Sequence, residues 1–294
     1  SKRKDYILNG EPVPFTTKLL FGFCDQFVFK NIKKLLGLNN CRYALSGAAP
    51  ISPELIDWYL SIGLDMREGW GMTETAGIGT AFYSREIKKG CVGRAIDGSE
   101  VQIAKDGEIL FRGPGVFCGY LNKPEQTNET IIDGWLHTGD VGHLDNSGNL
   151  KITDRKKDII ITAGGKNISP SEIENELKFS AFISDAVVIG DKRKFLSCLI
   201  MIDEENVMKF AQDHDVPFSN FESLCKSKEI IDLIEVEVNQ VNKKFANVEQ
   251  VKKFTLIDVQ LTAEDDELTP TMKLKRKFIN QKYTNIIEAM YKTA

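Results

Sequence analysis

The chain has 294 residues, 42% of them hydrophobic and 27% charged, which suits a soluble globular protein of about two domains. A net charge of -4 and a pI near 5.6 give no global footprint for nucleic acid. Cys24, Cys41, Cys91, Cys118, Cys198 and Cys225 form no Cys-x-x-Cys pair, and His137, His143 and His214 lack ligand spacing, which argues against a zinc site and a disulfide framework and suits a reducing cytosol.

Residues 16–38 carry apolar and basic side chains at helical spacing: Leu19, Leu20, Phe23, Phe27, Ile32, Leu35 and Leu36. The segment is read first as a packed core helix. Its basic and aromatic part, 18–34, is the candidate for a peripheral membrane contact. A short strand is expected in "CRYALSG", then a helix in "PISPELIDWYLSIG". Ser52 can cap that helix, Pro53 fits its first position, and Gly63 can end it. Leu55, Ile56, Tyr59 and Leu60 give it one apolar face.

From about residue 91 the texture turns to strands. "SEVQIAKDGEILFRGPG" predicts a hairpin turning at Asp106-Gly107, and "GHLDNSGNLKITD" predicts another turning at Asn146–Gly148. Five charged residues, Asp154 to Asp158, mark a change of texture. Such a short boundary reads as a defined hinge, or as a solvated loop within one domain. Beyond it, Ser169-Pro170-Ser171-Glu172 has the pattern of a capping box. A strand pair ("DAVVIG", "LSCLIMID") and amphipathic helices near 203–213 and 228–246 follow.

Three stretches carry groups suited to chemistry. In "EGWGMTET" (68–75), glycines flank Trp70, and Thr73 and Glu74 offer a hydroxyl for phosphate and a carboxylate for phosphate-borne magnesium. The bland reading is a glycine-rich loop around a core tryptophan. In "DGWLHTGDVG" (133–142), Asp140 can accept two hydrogen bonds from a ribose diol, or bond its own backbone as a turn aspartate. "LTPTMKLKRK" (268–277) is a basic stretch, either a solvated face or a weak phosphate patch. A single such patch on an acidic chain argues for no nucleic-acid partner.

Taken in order, "YALSGAAPIS", "EGWGMTET", "DGWLHTGDVGHLDNSGNLKITDRKKD" and "LTPTMKLKR" resemble the adenylate-forming (AMP-binding) superfamily, most closely its long-chain fatty acyl-CoA synthetases of the bubblegum type. The resemblance covers nearly the whole chain and favours the functional readings above. It implies a mixed α/β and α+β fold. Residues 1–156 would be the rest of a large N-terminal domain, a sheet plus a small β-barrel subdomain, and 157–294 a small mobile α+β C-terminal lid.

The resemblance also implies residue roles. Ala48, Ala49 and Pro50 would lie beside adenine and the acyl group. Glu68, Gly69, Trp70, Gly71 and Met72 would line the nucleotide site, with Trp70 packing on adenine. Thr73 would touch the phosphates and Glu74 would hold magnesium. Asp140 and Arg155 would bind ribose, and Lys157 would be the hinge. Gly164 and Gly165 would let the pantetheine of coenzyme A pass, and Lys273 would assist adenylation. Met272 departs from the glycine found before that lysine in many relatives outside the long-chain group.

The implied activity is ATP-dependent, magnesium-assisted ligation of a long-chain fatty acid to coenzyme A through an acyl-AMP, in the cytosol or at a membrane surface. Two alternatives stay open: a fatty acid–AMP ligase loading a carrier protein, and a non-catalytic nucleotide-binding module. No glycine-, serine- and threonine-rich phosphate loop occurs in residues 1–45, and the chain begins with Ser1. The expectation is therefore the C-terminal half of a longer synthetase, inactive or nearly so without its N-terminal half.

Overall fold

The computed structural model describes residues 2–42, 44–49, 51–83, 87–259 and 275–292. The chain divides into two compact units, Ser1–Lys156 and Lys157–Ala294.

In the first unit the helix Pro53–Ser61 starts as the sequence predicts. The Ser52 side chain accepts the Glu54 N–H, and Pro53 sits where no amide donor is missed. Ile56 and Leu60 face inward with Leu64 and Met66, whereas Leu55 lies on the exposed side. Strands Ala44–Ser46 and Met66–Glu68 pair in parallel, so the loops following both leave from the same end. In open α/β sheets that end is where ligands bind.

Both expected hairpins form. Glu100–Ile103 pairs antiparallel with Glu108–Arg112, with Val101 opposite Phe111 and Ile103 opposite Ile109. The ten-residue strand Trp135–Leu144 pairs with Glu108–Arg112, with Ile131–Ile132 and with Leu150–Arg155. Phe111, Ile109, Leu136 and Leu150 fill the core beneath this five-stranded sheet, beside Trp70.

The expectation of a packed core helix for residues 16–38 does not hold. The segment folds as helix Phe15–Cys24, a π turn Asp25–Phe29 and helix Lys30–Leu35, and none of these residues is buried. Its inner side is held by Phe21, which packs on Gly63 and beneath the Arg3 guanidinium. The outer stripe stays open because no described residue covers it: Leu19, Phe23 and Phe27 are 68, 66 and 63% exposed. No described helix is long and apolar enough to cross a membrane.

The second unit is a three-stranded sheet between two helical layers. Leu196–Ile202 is central, antiparallel to Ile183–Ile189 and parallel to Val251–Leu256. Every residue of "LSCLIMI" is buried, as an unbroken apolar run requires when both faces are covered. Alternation divides the strand. Cys198, Ile200 and Ile202 face the layer containing Pro170–Lys178, Glu204–Asp213 and Lys228–Asn242. Leu199 and Met201 face Arg276–Lys282 and Thr284–Lys292. The helix Pro170–Lys178 begins where the capping-box pattern puts it, but Ser169 makes no side-chain cap bond; Pro170, with its fixed φ, sets the start.

Candidate active site

The parallel pair Ala44–Ser46 and Met66–Glu68 brings two of the predicted segments together. Gly69 donates its N–H to Ser46 O at 3.0 Å, which lays the 47–49 loop beside "EGWGMTET". Ala48 and Ala49 are exposed there, Ala48 with a left-handed φ of 67°. Pro50 lies outside the described residues.

Glu68 turns inward. It is 8% exposed, and the backbone amides of Ile51 and Gly90 donate to its carboxyl. Burial pushes it up to about 7, against the pull of those two N–H groups. Gly69 sits tightly beneath Leu45 and the Thr80 carbonyl. Gly71 is required by close approach, because a Cβ there would lie 2.4 Å from the Gly77 carbonyl oxygen.

Trp70 is buried at 6% exposure, with its ring edge-on to Phe111 at 6.0 Å and closely packed by Gly79. Its indole N–H donates to Asp140 Oδ2 at 2.7 Å. Arg155 Nε lies 3.0 Å from Asp140 Oδ1, and the two residues are cross-strand partners. Three predicted residues thus form one constellation around a buried carboxylate.

Met72 is extended, and its N–H donates to Thr75 Oγ1 at 2.9 Å, starting the short 3-10 turn Thr73–Thr75. Thr73 is exposed. Glu74 is tied down by two residues the sequence reading missed. The Tyr120 hydroxyl donates to Glu74 Oε1 at 2.6 Å, and the Phe117 N–H donates to the Glu74 carbonyl at 2.9 Å. Burial and the adjacent carboxylate keep the Tyr120 hydroxyl above its ordinary range, hence a donor. No sequence signal marks Tyr120, because its partner is 46 residues away.

Lys157 is exposed and is the first residue of the second unit. Gly164 and Gly165 are exposed at the tip joining strands Ile160–Ile161 and Asn167–Ile168. Lys273 and Met272 lie outside the described residues. Among the described residues no cluster of three His, Cys, Asp or Glu side chains could hold a metal ion alone, and none of the six cysteines is in a disulfide.

Residues 16–121 match the AMP-binding enzyme model, and residues 157–294 match the AMP-binding enzyme C-terminal domain. The chain belongs to the AMP-binding enzyme family. It is 40% identical over 268 residues to the long-chain-fatty-acid–CoA ligase FadD15 of Mycobacterium tuberculosis, covering 91% of this chain and 44% of that protein. It is 35% identical to the long-chain-fatty-acid–CoA ligase ACSBG2 of Gallus gallus, covering 93% of this chain and 39% of that one. The chain therefore spans under half the length of these two relatives. Among solved structures, the o-succinylbenzoate coenzyme A synthetase MenE of Bacillus subtilis, in complex with ATP and magnesium, aligns with 80% of this chain and 46% of its own, at 27% identity and a TM-score of 0.60.

Proposed function

We propose that this chain is part of an ATP-dependent long-chain fatty acid–CoA ligase that forms an acyl-AMP, releases pyrophosphate, and passes the acyl group to coenzyme A with release of AMP. The observation that carries this reading is the Asp140 carboxylate, held by Trp70 Nε1 and Arg155 Nε beside the loops that follow two parallel strands. Such a carboxylate suits a ribose diol, and those loops suit the rest of a nucleotide. The long-chain ligase relatives support the substrate class.

Glu74, with one oxygen oriented by Tyr120, fits a cation that arrives with ATP, since such magnesium needs only one or two protein carboxylates. Bound there, magnesium would offset the phosphate charge as a fatty carboxylate approaches. Lys273 supplies a second positive charge to the same step. Lys157 is the hinge about which the second unit turns between adenylation and thioester formation. That turn brings Gly164 and Gly165 to the pantetheine while water is kept from the anhydride. The enzyme works in the cytosol, collecting fatty acid there or at a membrane surface.

The test is ATP–pyrophosphate exchange with palmitate, run on this chain and on a polypeptide extended to the full length of its relatives. Exchange in the extended protein, followed by CoA-stimulated AMP release, is the expected result. AMP release indifferent to CoA would move the acceptor to a carrier protein. Absence of exchange with every fatty acid, in a folded and nucleotide-binding protein, would overturn the ligase reading.

Tyr120→Phe in the extended protein is expected to lower exchange about tenfold, the low end for losing a hydrogen bond to a charged group, and to raise the magnesium concentration for half-maximal rate. An unchanged magnesium profile would detach Tyr120 from that role.

A further inference from the structure

Glu108 opens the strand Glu108–Arg112 and is 6% exposed. A carboxylate so buried is costly unless several donors meet it. Here three do. Oε1 accepts the Gly139 N–H at 3.0 Å, while Oε2 accepts Lys156 Nζ at 3.0 Å and lies 3.2 Å from His137 Nδ1. Burial works to raise the carboxyl, but the contacts to Lys156, His137 and Gly139 outweigh it and hold Glu108 below its ordinary value. Lys156 Nζ also reaches Asp106 Oδ2 at 2.7 Å, and Asp106 Oδ1 accepts the Glu108 N–H at 3.2 Å.

The network meets the site at two places. Gly139 precedes Asp140 and has a φ of 69°. Its N–H is taken by Glu108 and its carbonyl accepts the Lys156 N–H at 2.8 Å, so the strand irregularity before Asp140 is held from both sides. Lys156 is the last residue of the first unit. Its backbone and its ammonium group are both bound inside that unit, one residue before Lys157.

We propose that Glu108 is a positioning residue: by holding Gly139 and Lys156 together it presents Asp140 to the nucleotide and stops backbone rotation at Lys156, so that the pivot begins at Lys157. This rests on the reading of Lys157 as the hinge. The physical requirement is plain. A hinge places its moving part reproducibly only if the residue on the stationary side does not turn, and backbone bonding alone leaves Lys156 at the frayed end of a strand. The Glu108–Asp106 pair adds a side-chain tie that the charged run 154–158 could not reveal, because its partners lie some fifty residues upstream.

The test is hydrogen exchange on the whole chain without nucleotide, comparing Lys156→Met, Glu108→Gln, their double variant and Lys156→Arg. Peptides spanning 138–140 and 154–157 are expected to exchange about tenfold faster in Lys156→Met and in Glu108→Gln, with 196–202 unchanged. The double variant should be no faster than the singles, and Lys156→Arg should stay near wild type. A pair of spin labels, one on each unit, should report a wider distance spread in Lys156→Met. Unchanged exchange at 154–157, an unchanged distance spread, additive effects, or faster exchange across the sheet at 109–111 and 150–152 would each overturn the proposal. The half-exposed Lys156 can be replaced without opening the core, so the test does not depend on Glu108→Gln folding. No ligand or turnover enters the readout, so a failure of the ligase reading and a failure of this one are told apart.

Discussion

Replacing Arg276 with methionine is expected to cost the second unit about 3–5 kcal/mol of stability, the usual result of removing one partner from a buried ion pair. Arg276 opens the helix Arg276–Lys282, and its guanidinium bonds Glu174 Oε2. The other Glu174 oxygen accepts the Val188 N–H at 2.7 Å, so one buried carboxylate joins the helix Pro170–Lys178, the strand Ile183–Ile189 and the helix after "LTPTMKLKR". Burial pushes Glu174 upward, opposed first by Arg276 and then by the Val188 N–H. Without Arg276 the carboxyl would escape the penalty by taking a proton, so the destabilisation should grow as pH rises.

All three tryptophans, Trp58, Trp70 and Trp135, lie in the first unit. The loss should therefore appear in circular dichroism and in exchange at 196–202 rather than in tryptophan fluorescence. The exposed neighbour in Lys277→Met should change stability by no more than about 0.5 kcal/mol. A loss below about 1 kcal/mol in Arg276→Met would mean that the pair holds nothing together.

The second large effect is a pH dependence carried by Glu68 in the first unit. Folded, this carboxyl keeps its proton up to about pH 7, whereas an unperturbed glutamate loses it near 4.5. Between those values folding takes up a proton. The stabilisation is fully present below about 4.5 and is lost as pH rises towards 7, a swing of about 3 kcal/mol at 1.36 kcal/mol per unit. Glu68→Gln keeps the shape and removes the titration. The difference between wild type and variant, followed by tryptophan fluorescence in denaturant from pH 4 to 8, should therefore change by about that amount, with glutamine relatively better at high pH. Parallel curves would show that Glu68 is ionised throughout. Because Glu68 binds the Ile51 amide, its ionisation also bears on the 47–49 loop of the candidate site.

The candidate site was legible in the sequence to the extent that its residues sit in short motifs. Asp140, Arg155, Trp70 and Glu74 could be named from their stretches, and three of the four meet around one carboxylate. The residues that orient them could not. Tyr120 belongs to no motif read in the sequence, and Glu108 only to a hairpin pattern that gives its carboxylate no role; their partners Glu74 and Lys156 are 46 and 48 residues distant. The apolar stripe of residues 16–38 shows the complementary failure. Its helical spacing was read correctly, but periodicity says which residues share a face and not whether anything covers that face.

The sequence by itself determined what a few adjacent residues can decide. Ser52 and Pro53 start a helix, Asp106-Gly107 and Asn146–Gly148 turn hairpins, and "LSCLIMI" declares a strand covered on both faces. These outcomes depend on local dihedrals and on burial period, which act over less than about ten residues. Only the tertiary structure decided that Trp70 bonds Asp140 and that Glu108 reaches both Gly139 and Lys156. Those contacts depend on strand register, including the irregularities at Glu108/Leu110 and Val141/Gly142, where a shift of one residue would turn Asp140 to the opposite face.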